Sequence, residues 1–338
     1  MDEPANSLKA EDVWPAGLLV AQDDALLADV RWMAGRKDQF VEVACPACNG
    51  TSGHEPFTKY GMRYVACDSC STIYISPRPP AQLLAEFYRQ SRNYQFYNDH
   101  IFPATEASRR AKIFRPRVQR LLDLCERHAV KGRTLLEVGA GYGTFCEELR
   151  QHGRFDRILG VELTPDLAQT CRRRGIDVIE KPIEEIDPDS VKVDVLASFE
   201  VIEHLFSPAS FLKSCAKLLN PQGLLVLTCP NGLGFDVTML GAGSMVIDHE
   251  HLNYFNPQSL ALLAANCGFE VLEVSTPGEL DAELVHAEAL AGRLDLSAQP
   301  FLSTVLVERW EELGGAFQAF LKAGKLSSHM WLVARRKP

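Results

Sequence analysis

The sequence predicts an α/β chain built on a mostly parallel sheet with helices on both faces. Three observations predict it. From Gly132 onward, short runs of leucine and β-branched residues alternate with helix-like stretches. The first of these runs ends in a cluster of glycines. The chain has 338 residues, 46% hydrophobic and 23% charged. That is the balance of an ordinary globular protein with room for a large core and no need of staples.

The strands follow in order. TLLEVGAG, from Thr134, reads as a buried strand running into glycines, and RILGVEL, IDVIEK, VDVLASFEV and GLLVLTCPN are the next four. Helical stretches fall between most of them. FEVLEVSTP and HMWLVARRK are later strands, separated by a helix-rich insertion over about 277–328. Ahead of this domain, which spans 132–338, three segments are expected: helical over 1–40, a zinc ribbon over 41–78 and a helical lid or linker over 79–131. SPRPP at 76–80 marks the break between the last two.

Charge and leader content narrow the class. The start, MDEPANSLKAEDVW, lacks the order of a signal peptide, and no apolar run reaches membrane-spanning length. The expectation is a cytoplasmic protein without a membrane partner. Net charge is −9, which argues against general nucleic-acid binding. Arg109, Arg110, Lys112, Arg115, Arg117 and Arg120 crowd into twelve residues. They read as a solvated helix face or as a phosphate-binding edge. The sequence says nothing of oligomeric state.

Cys45-Pro-Ala-Cys48 and Cys67-Asp-Ser-Cys70 are two CxxC pairs with eighteen residues between them. Zinc takes four tetrahedral thiolates, and each tight knuckle supplies two. A four-cysteine shell has no open position, so the expected metal is structural and His54 is not needed as a ligand. Cys125, Cys146, Cys171, Cys215, Cys229 and Cys267 read as small buried residues of a reducing compartment.

LLEVGAGYGTF turns a strand into a helix through Gly139, Gly141 and Gly143. Glycines admit positive φ and let backbone approach a ligand. The spacing is GxGxG, one residue short of the GxGxxG dinucleotide fingerprint, which counts against a nicotinamide dehydrogenase. Nineteen residues past Gly143, GVELTPD places Glu162 at the tip of the second strand. A carboxylate there is placed to accept both ribose hydroxyls of an adenosine.

LLEVGAGYGTF, GVELTPDL, SFEVIEHLFSP, LLNPQGLLVLTCPN and HLNYFNPQSLALLAANCGFEVLEV together resemble the class I S-adenosylmethionine (SAM) methyltransferase superfamily, over about residues 132–276. The resemblance implies a Rossmann-like fold with a seven-stranded sheet. It puts Gly139, Gly141 and Gly143 around the methionine moiety, Glu162 on the ribose and the segment from Glu180 to Ile183 beside the adenine. Glu137 and Glu200 join the implied cofactor-binding set. Many relatives carry an acidic or hydroxyl residue where Pro182 stands. CPAC, CDSC, SPRPP and LAEFY also resemble the zinc-binding front end of bacterial methyltransferases encoded with sugar and surface-glycan pathways.

Methyl transfer from a sulfonium needs in-line alignment and, for a hydroxyl or ammonium acceptor, a base. FEVIEHL supplies Glu200, Glu203 and His204, which share one face if a helix begins there. DHEHLNYF supplies His249 and His251. The candidate catalytic residues are His204, His249 and His251. ExxEH resembles the metal-binding motif of ubiquinone-pathway O-methyltransferases and, with a later histidine, that of small-RNA 2′-O-methyltransferases. A Mg²⁺ site at Glu200, Glu203 and His204 is therefore one reading, and a metal-free pocket with a histidine base is the other. Tyr94, Phe96 and Tyr97 read as a segment closing over the cofactor or as a packing stripe, the latter suiting Phe96. Asp281 and Glu283 read as sugar-hydroxyl ligands or exposed charges.

The function these expectations favour is a SAM-dependent methyltransferase acting on a small molecule, a sugar or nucleotide-sugar hydroxyl or amine. A metal-assisted RNA 2′-O-methyltransferase is the alternative, and it needs a basic surface. A zinc-ribbon partner-binding protein with a vestigial catalytic domain is a third reading, opposed by the intact glycine loop and Glu162.

Overall fold

The computed structural model describes residues 8–337; the first seven residues of the expected N-terminal segment lie outside it. Twelve strands are described. They are β1 (Gly53–His54), β2 (Thr58–Lys59), β3 (Met62–Cys67), β4 (Ile73–Ile75), β5 (Thr134–Val138), β6 (Arg157–Val161), β7 (Asp177–Ile179), β8 (Val193–Phe199), β9 (Leu219–Pro230), β10 (Asn253–Tyr254), β11 (Phe269–Ser275) and β12 (His329–Arg336).

Seven of them form one sheet in the order β11-β12-β9-β8-β5-β6-β7. Pairings from β7 through β9 are parallel, and β12 runs antiparallel to both β9 and β11. The strand order reverses beside β5, where β6 lies on one side and β8 on the other. Such a switch point opens a crevice at the carboxyl ends of the strands. Side chains alternate across the sheet. Leu136, Leu196, Leu225 and Leu332 enter one core. Leu135, Val195, Leu224 and Val333 enter the other, beneath the helix Arg115–Arg127.

The remaining strands form a smaller antiparallel sheet, β1-β3-β4-β10, with β2 paired to β3. Its fourth strand, β10, comes from the DHEHLNYF segment, with Asn253 opposite Tyr74 and Tyr254 opposite Ile73. The sequence reading of a ribbon over 41–78 does not anticipate this strand. Two residues are too few to show a periodicity. The cysteine knuckles thus sit on the same small sheet as a segment of the catalytic region. Cys45, Ala47, Cys67 and Tyr74 pack in one core with Phe255 and Leu260.

Residues 92–127 form one nearly continuous helical run with two wide turns, at Tyr97–Ile101 and Arg110–Phe114. Pro103 and Pro116 each follow a wide turn closely. Proline lacks the N–H for a regular helical bond, and a wider turn absorbs the mismatch. The insertion folds as helices including Asp281–Leu290 and Trp310–Ala323 around their own apolar cluster.

Candidate active site

A cleft of about 2100 Å³ opens at the switch point, lined by the glycine loop, Glu162, Glu200, Glu203, His204 and the 245–251 loop. That volume exceeds what one drug-sized ligand fills, so it has room for two reactants.

The glycine loop is built as the spacing requires. Gly139, Gly141 and Gly143 all have positive φ, between 53° and 83°. A Cβ on Gly139 would stand 2.4 Å from Val201 Cγ2, and one on Gly143 2.5 Å from Ile176 Cδ1. Gly141 meets nothing within 4 Å and faces open space. Beside it, Glu162 accepts hydrogen bonds from the Gly141 and Thr164 amides, each at 2.8 Å. Burial raises its pKa, and the two amides oppose the rise. A carboxylate has about four lone-pair positions, so two remain for a ligand.

Glu137, 3% exposed, accepts from the Cys146 thiol at 3.0 Å, and burial pushes its carboxyl up to about 8. Pro182 and Ile183 line the cleft, whereas Glu180 lies outside it and pairs with Arg172.

The helix face expected for Glu200, Glu203 and His204 does not form. Only a single three-residue turn, Ile202–His204, is present. Glu200 precedes it at φ 55°, a left-handed backbone that turns its side chain toward β12. Its carboxylate meets Thr228 Oγ1 at 2.5 Å and His329 Nε2 at 2.9 Å. Burial opposes ionisation there, but His329, Arg117 and Thr228 prevail and hold Glu200 down to about 2.

Glu203 is fully buried, and neither of its oxygens has a hydrogen-bond partner. Burial, then the Glu200 charge, raises its pKa far above the ordinary carboxylate value. Ligand atoms of Glu203, His204 and His251 lie within 4.8 Å of one another; Glu200 is not in that group. The rings of His204 and His251 stand 4.6 Å apart. His204 Nδ1 is 3.1 Å from the Tyr88 hydroxyl, and burial holds its pKa down to about 3. His251 Nδ1 is 3.0 Å from the Val246 carbonyl, which can only accept. Nδ1 therefore carries the proton of the neutral ring, and Nε2 keeps its lone pair. His249 stands outside this trio; it is grouped with Asp29 and Glu250.

A buried clamp joins this loop to the small sheet. Asn253 donates to the carbonyls of Glu203 and Leu205 at 3.1 and 2.8 Å, while its own oxygen accepts from Arg78 at 2.7 Å. Asn256 caps the helix Pro257–Asn266 and donates to the Cys70 carbonyl at 2.8 Å. The four knuckle cysteines converge. Cys45 and Cys70 sulfurs lie 3.5 Å apart, and those of Cys48 and Cys67 3.6 Å apart. Disulfide sulfurs stand about 2.05 Å apart. Four thiolates about 2.3 Å from a zinc ion stand about 3.8 Å apart, so the set fits that ion. His54 instead meets Asp68 at 3.1 Å.

The basic cluster is largely neutralised. Arg110 pairs with Glu106, Glu147 and Glu148, Arg115 with Glu148, Lys112 with Asp12 and Arg120 with Glu273. Arg109 donates to Thr105 and the Val13 carbonyl. Arg117 differs. It lines the cleft, its guanidinium lies 4.4 Å from the Phe199 ring centroid, and the Glu200 carboxylate and the Glu137 carboxyl face it. Asp281 is 2% exposed and consumed by Ser327, Ser328 and Gln318, so it is neither a free sugar ligand nor an exposed charge. Phe96 packs on His100, whereas Tyr94 and Tyr97 line the cleft. The sequence reading missed Arg117, His329 and Asp248 as individuals. Nothing in the local pattern marks Arg117 or His329, since their partners lie far away in the chain, and Asp248 reads only as one more acidic residue of DHEHLNYF until its side chain is seen to cap the Glu250 and His251 amides.

Sheet order and crevice define a class I methyltransferase fold. A methyltransferase-domain family model matches residues 107–274. The chain is similar to the ubiquinone biosynthesis O-methyltransferase of Coxiella burnetii (strain Dugway 5J108-111), 24% identical over 185 residues, covering 50% of this chain and 73% of the relative. It is 27% identical over 170 residues to the protein of the same name from Xylella fastidiosa (strain M23), covering 46% and 68%. Among solved structures, an S-adenosylmethionine-dependent methyltransferase from Clostridium acetobutylicum ATCC 824 aligns over 72% of this chain and 98% of its own, at 10% identity and TM-score 0.47. The chain is a SAM-dependent methyltransferase. No described helix is long and apolar enough to cross a membrane.

Proposed function

We propose that the cleft holds SAM with its ribose on Glu162 and its methionyl group over the glycine loop, and that the acceptor is a carbohydrate hydroxyl or amine. One observation carries the cofactor pose. The Glu162 carboxylate stands beside Gly141, the one loop glycine whose Cβ position is open. In this pose Arg117 and Glu200, which both line the cleft, take the carboxylate and ammonium of the methionyl group. SAM then supplies the electrophilic methyl. The acceptor lone pair forms the new bond, the carbon–sulfur bond breaks with its electron pair going to sulfur, and the acceptor proton passes to a base. His251 Nε2, with its lone pair free, suits that role. His204 and Tyr88 border it.

The acceptor side favours a small, hydroxyl-rich molecule. Tyr88, Tyr94 and Tyr97 supply aromatic walls, and Gln22, whose Oε1 has no hydrogen-bond partner, supplies an acceptor. The paired arginines of 109–120 offer no basic surface for RNA. The carbohydrate reading also draws on the resemblance of the front end to sugar-pathway methyltransferases. We further propose a structural zinc at Cys45, Cys48, Cys67 and Cys70. A second, metal-assisted reading is favoured by the unpartnered Glu203 beside His204 and His251. Calorimetry tests the core reading. SAM and S-adenosylhomocysteine should bind with micromolar Kd, roughly −8 kcal/mol. Binding of NAD with neither of these would overturn it.

A further inference from the structure

We propose a divalent-cation site at Asp29, His249 and Glu250, separate from the Glu203–His204–His251 group and from the cysteine knuckles. One ligand atom from each of the three residues lies within 4.8 Å of the others, and all three residues are buried. The decisive member is His249. It is 1% exposed, and neither ring nitrogen has a hydrogen-bond partner. A neutral imidazole carries one N–H donor and one lone pair, and burying both without a partner is unfavourable. Edges of Tyr60 and Phe87 hold the ring, at 6.0 and 5.7 Å between centroids, and offer it no acceptor.

The Glu250 carboxylate beside the ring fits an ion better than a hydrogen bond. His249 Nε2 stands 3.8 Å from Glu250 Oε1, too far for a hydrogen bond. Two ligands each about 2.1 Å from one ion stand roughly 3.4 to 4.2 Å apart, depending on angle. The carboxylates are already oriented. Asp29 accepts from Ser91 Oγ and from the amides of Arg92 and Asn93, at 2.6 to 2.9 Å. Glu250 Oε1 accepts from Asn93 Nδ2 at 3.0 Å, and Asn93 is fixed in turn by Gln22. Among the described residues, no lysine or arginine side chain pairs with either carboxylate. Two carboxylates and one imidazole are a donor set for zinc or manganese. Three protein ligands leave a fourth position open, and His249 and Glu250 border the cleft. Such an ion would tie the N-terminal helix Ala16–Ala34 and the capped start of the helical run at 91–93 to the acceptor-side loop.

Manganese separates this site from the cysteine knuckles, because thiolates hold it poorly and oxygen–nitrogen sets hold it well, and the variants separate it from the Glu203–His204–His251 group. The full-length protein is titrated with Mn²⁺, and free ion is followed by electron paramagnetic resonance. The expected result is one bound Mn²⁺ whose affinity falls at least tenfold in His249→Gln and in Asp29→Asn, but not in Glu203→Gln. Absence of binding up to millimolar Mn²⁺ overturns the proposal. So does binding that Glu203→Gln abolishes and His249→Gln retains. Where a variant does not fold, the wild-type protein decides by proton NMR of its histidines, assigned with His204→Gln and His251→Gln. Bound Mn²⁺ should broaden His249 at lower occupancy than His204 or His251, and the reverse order overturns the site. None of these readouts depends on SAM binding, so failure of the methyltransferase pose leaves them interpretable.

Discussion

His329, the first residue of β12, places Nε2 2.9 Å from Oε1 of Glu200, the residue that follows β8. The sheet makes this contact across 129 positions of sequence. β12 runs antiparallel to β9 with His329 opposite Pro230, and β9 runs parallel to β8 with Thr228 opposite Phe199. The two strand ends therefore meet at the mouth of the cleft. The folded pKa of Glu200, about 2, is below its ordinary value of 4.5. The resulting stability is present above pH 4.5 and is lost as pH falls from there toward 2. The Glu200 side chain is 39% exposed, so solvent screening limits the pair to about 1 kcal/mol. His329→Ala should lower stability by about that much at pH 7. Urea unfolding checks this. A difference that stays constant down to pH 3 would show that the pair does not hold Glu200 ionised.

Glu162→Ala should weaken SAM and S-adenosylhomocysteine binding by roughly ten- to hundredfold, the loss of two charge-assisted hydrogen bonds. The variant also leaves the Gly141 and Thr164 amides without their acceptor. Both border the cleft, so water replaces the carboxylate, and melting should shift only slightly. Unchanged affinity by calorimetry would remove Glu162 from the site.

The glycine loop, the position of Glu162 at a strand tip and the succession of strands along the chain were legible in the sequence because local pattern governs them. A strand tip, a tight turn and a second strand tip sit within 30 residues. The acceptor wall was less legible. FEVIEHL matches a helix face by spacing, yet Glu200 adopts a left-handed backbone and faces β12 instead. His249 and His251 are two residues apart, which in extended chain points them the same way, but the turn at Asp248 separates them. Asp248 Oδ1 accepts from the amides of both Glu250 and His251. Arg117 was visible only as one of six basic residues. Its distinction is that its neighbours are paired, a property of tertiary structure.

The zinc prediction extends beyond the module. Cys67→Ser should lose the metal and destabilise the small sheet, because a closed four-thiolate site stabilises the fold through its ion. β10 is part of that sheet, and Asn253 fastens the Glu203 turn to Arg78. Hydrogen exchange should therefore quicken at 202–205 and 248–254 as well as at the knuckles. Acceleration confined to 41–78 would show that the two regions are mechanically independent. Elemental analysis should find at least one zinc per wild-type chain and one fewer in Cys67→Ser.

Arg117→Met should weaken S-adenosylhomocysteine roughly tenfold, consistent with loss of one charge-assisted contact. Binding of methylthioadenosine, which lacks the amino-acid group, should not change. Equal weakening of both ligands would mean that Arg117 supports the pocket without touching the methionyl end.

The last prediction concerns the acceptor proton. His204 is held neutral by burial, with its pKa down to about 3. A histidine depressed in this way favours the fold above its unfolded value of about 6.5 and loses that contribution as pH falls below it. Stability should thus decline by up to about 2 kcal/mol between pH 6.5 and 5, and His204→Gln should flatten the decline. The same shift removes His204 as the source of any acid limb in the rate between pH 5 and 8. His251 has the better lone pair, because its Nδ1–H faces the Val246 carbonyl. His251→Ala should lower kcat by roughly 10² to 10⁴ and leave SAM affinity nearly intact. Chelator should have no effect on turnover if the ring acts as a base. If Glu203, His204 and His251 instead hold a metal, chelator abolishes turnover, Mg²⁺ restores it, and Glu203→Ala mimics the loss while Glu200→Ala need not. Glu203 is the discriminating residue because it alone of the two carboxylates lies in the histidine group and has no other partner. Full activity of His251→Ala in chelator would exclude both versions and leave an acceptor that needs no protein base.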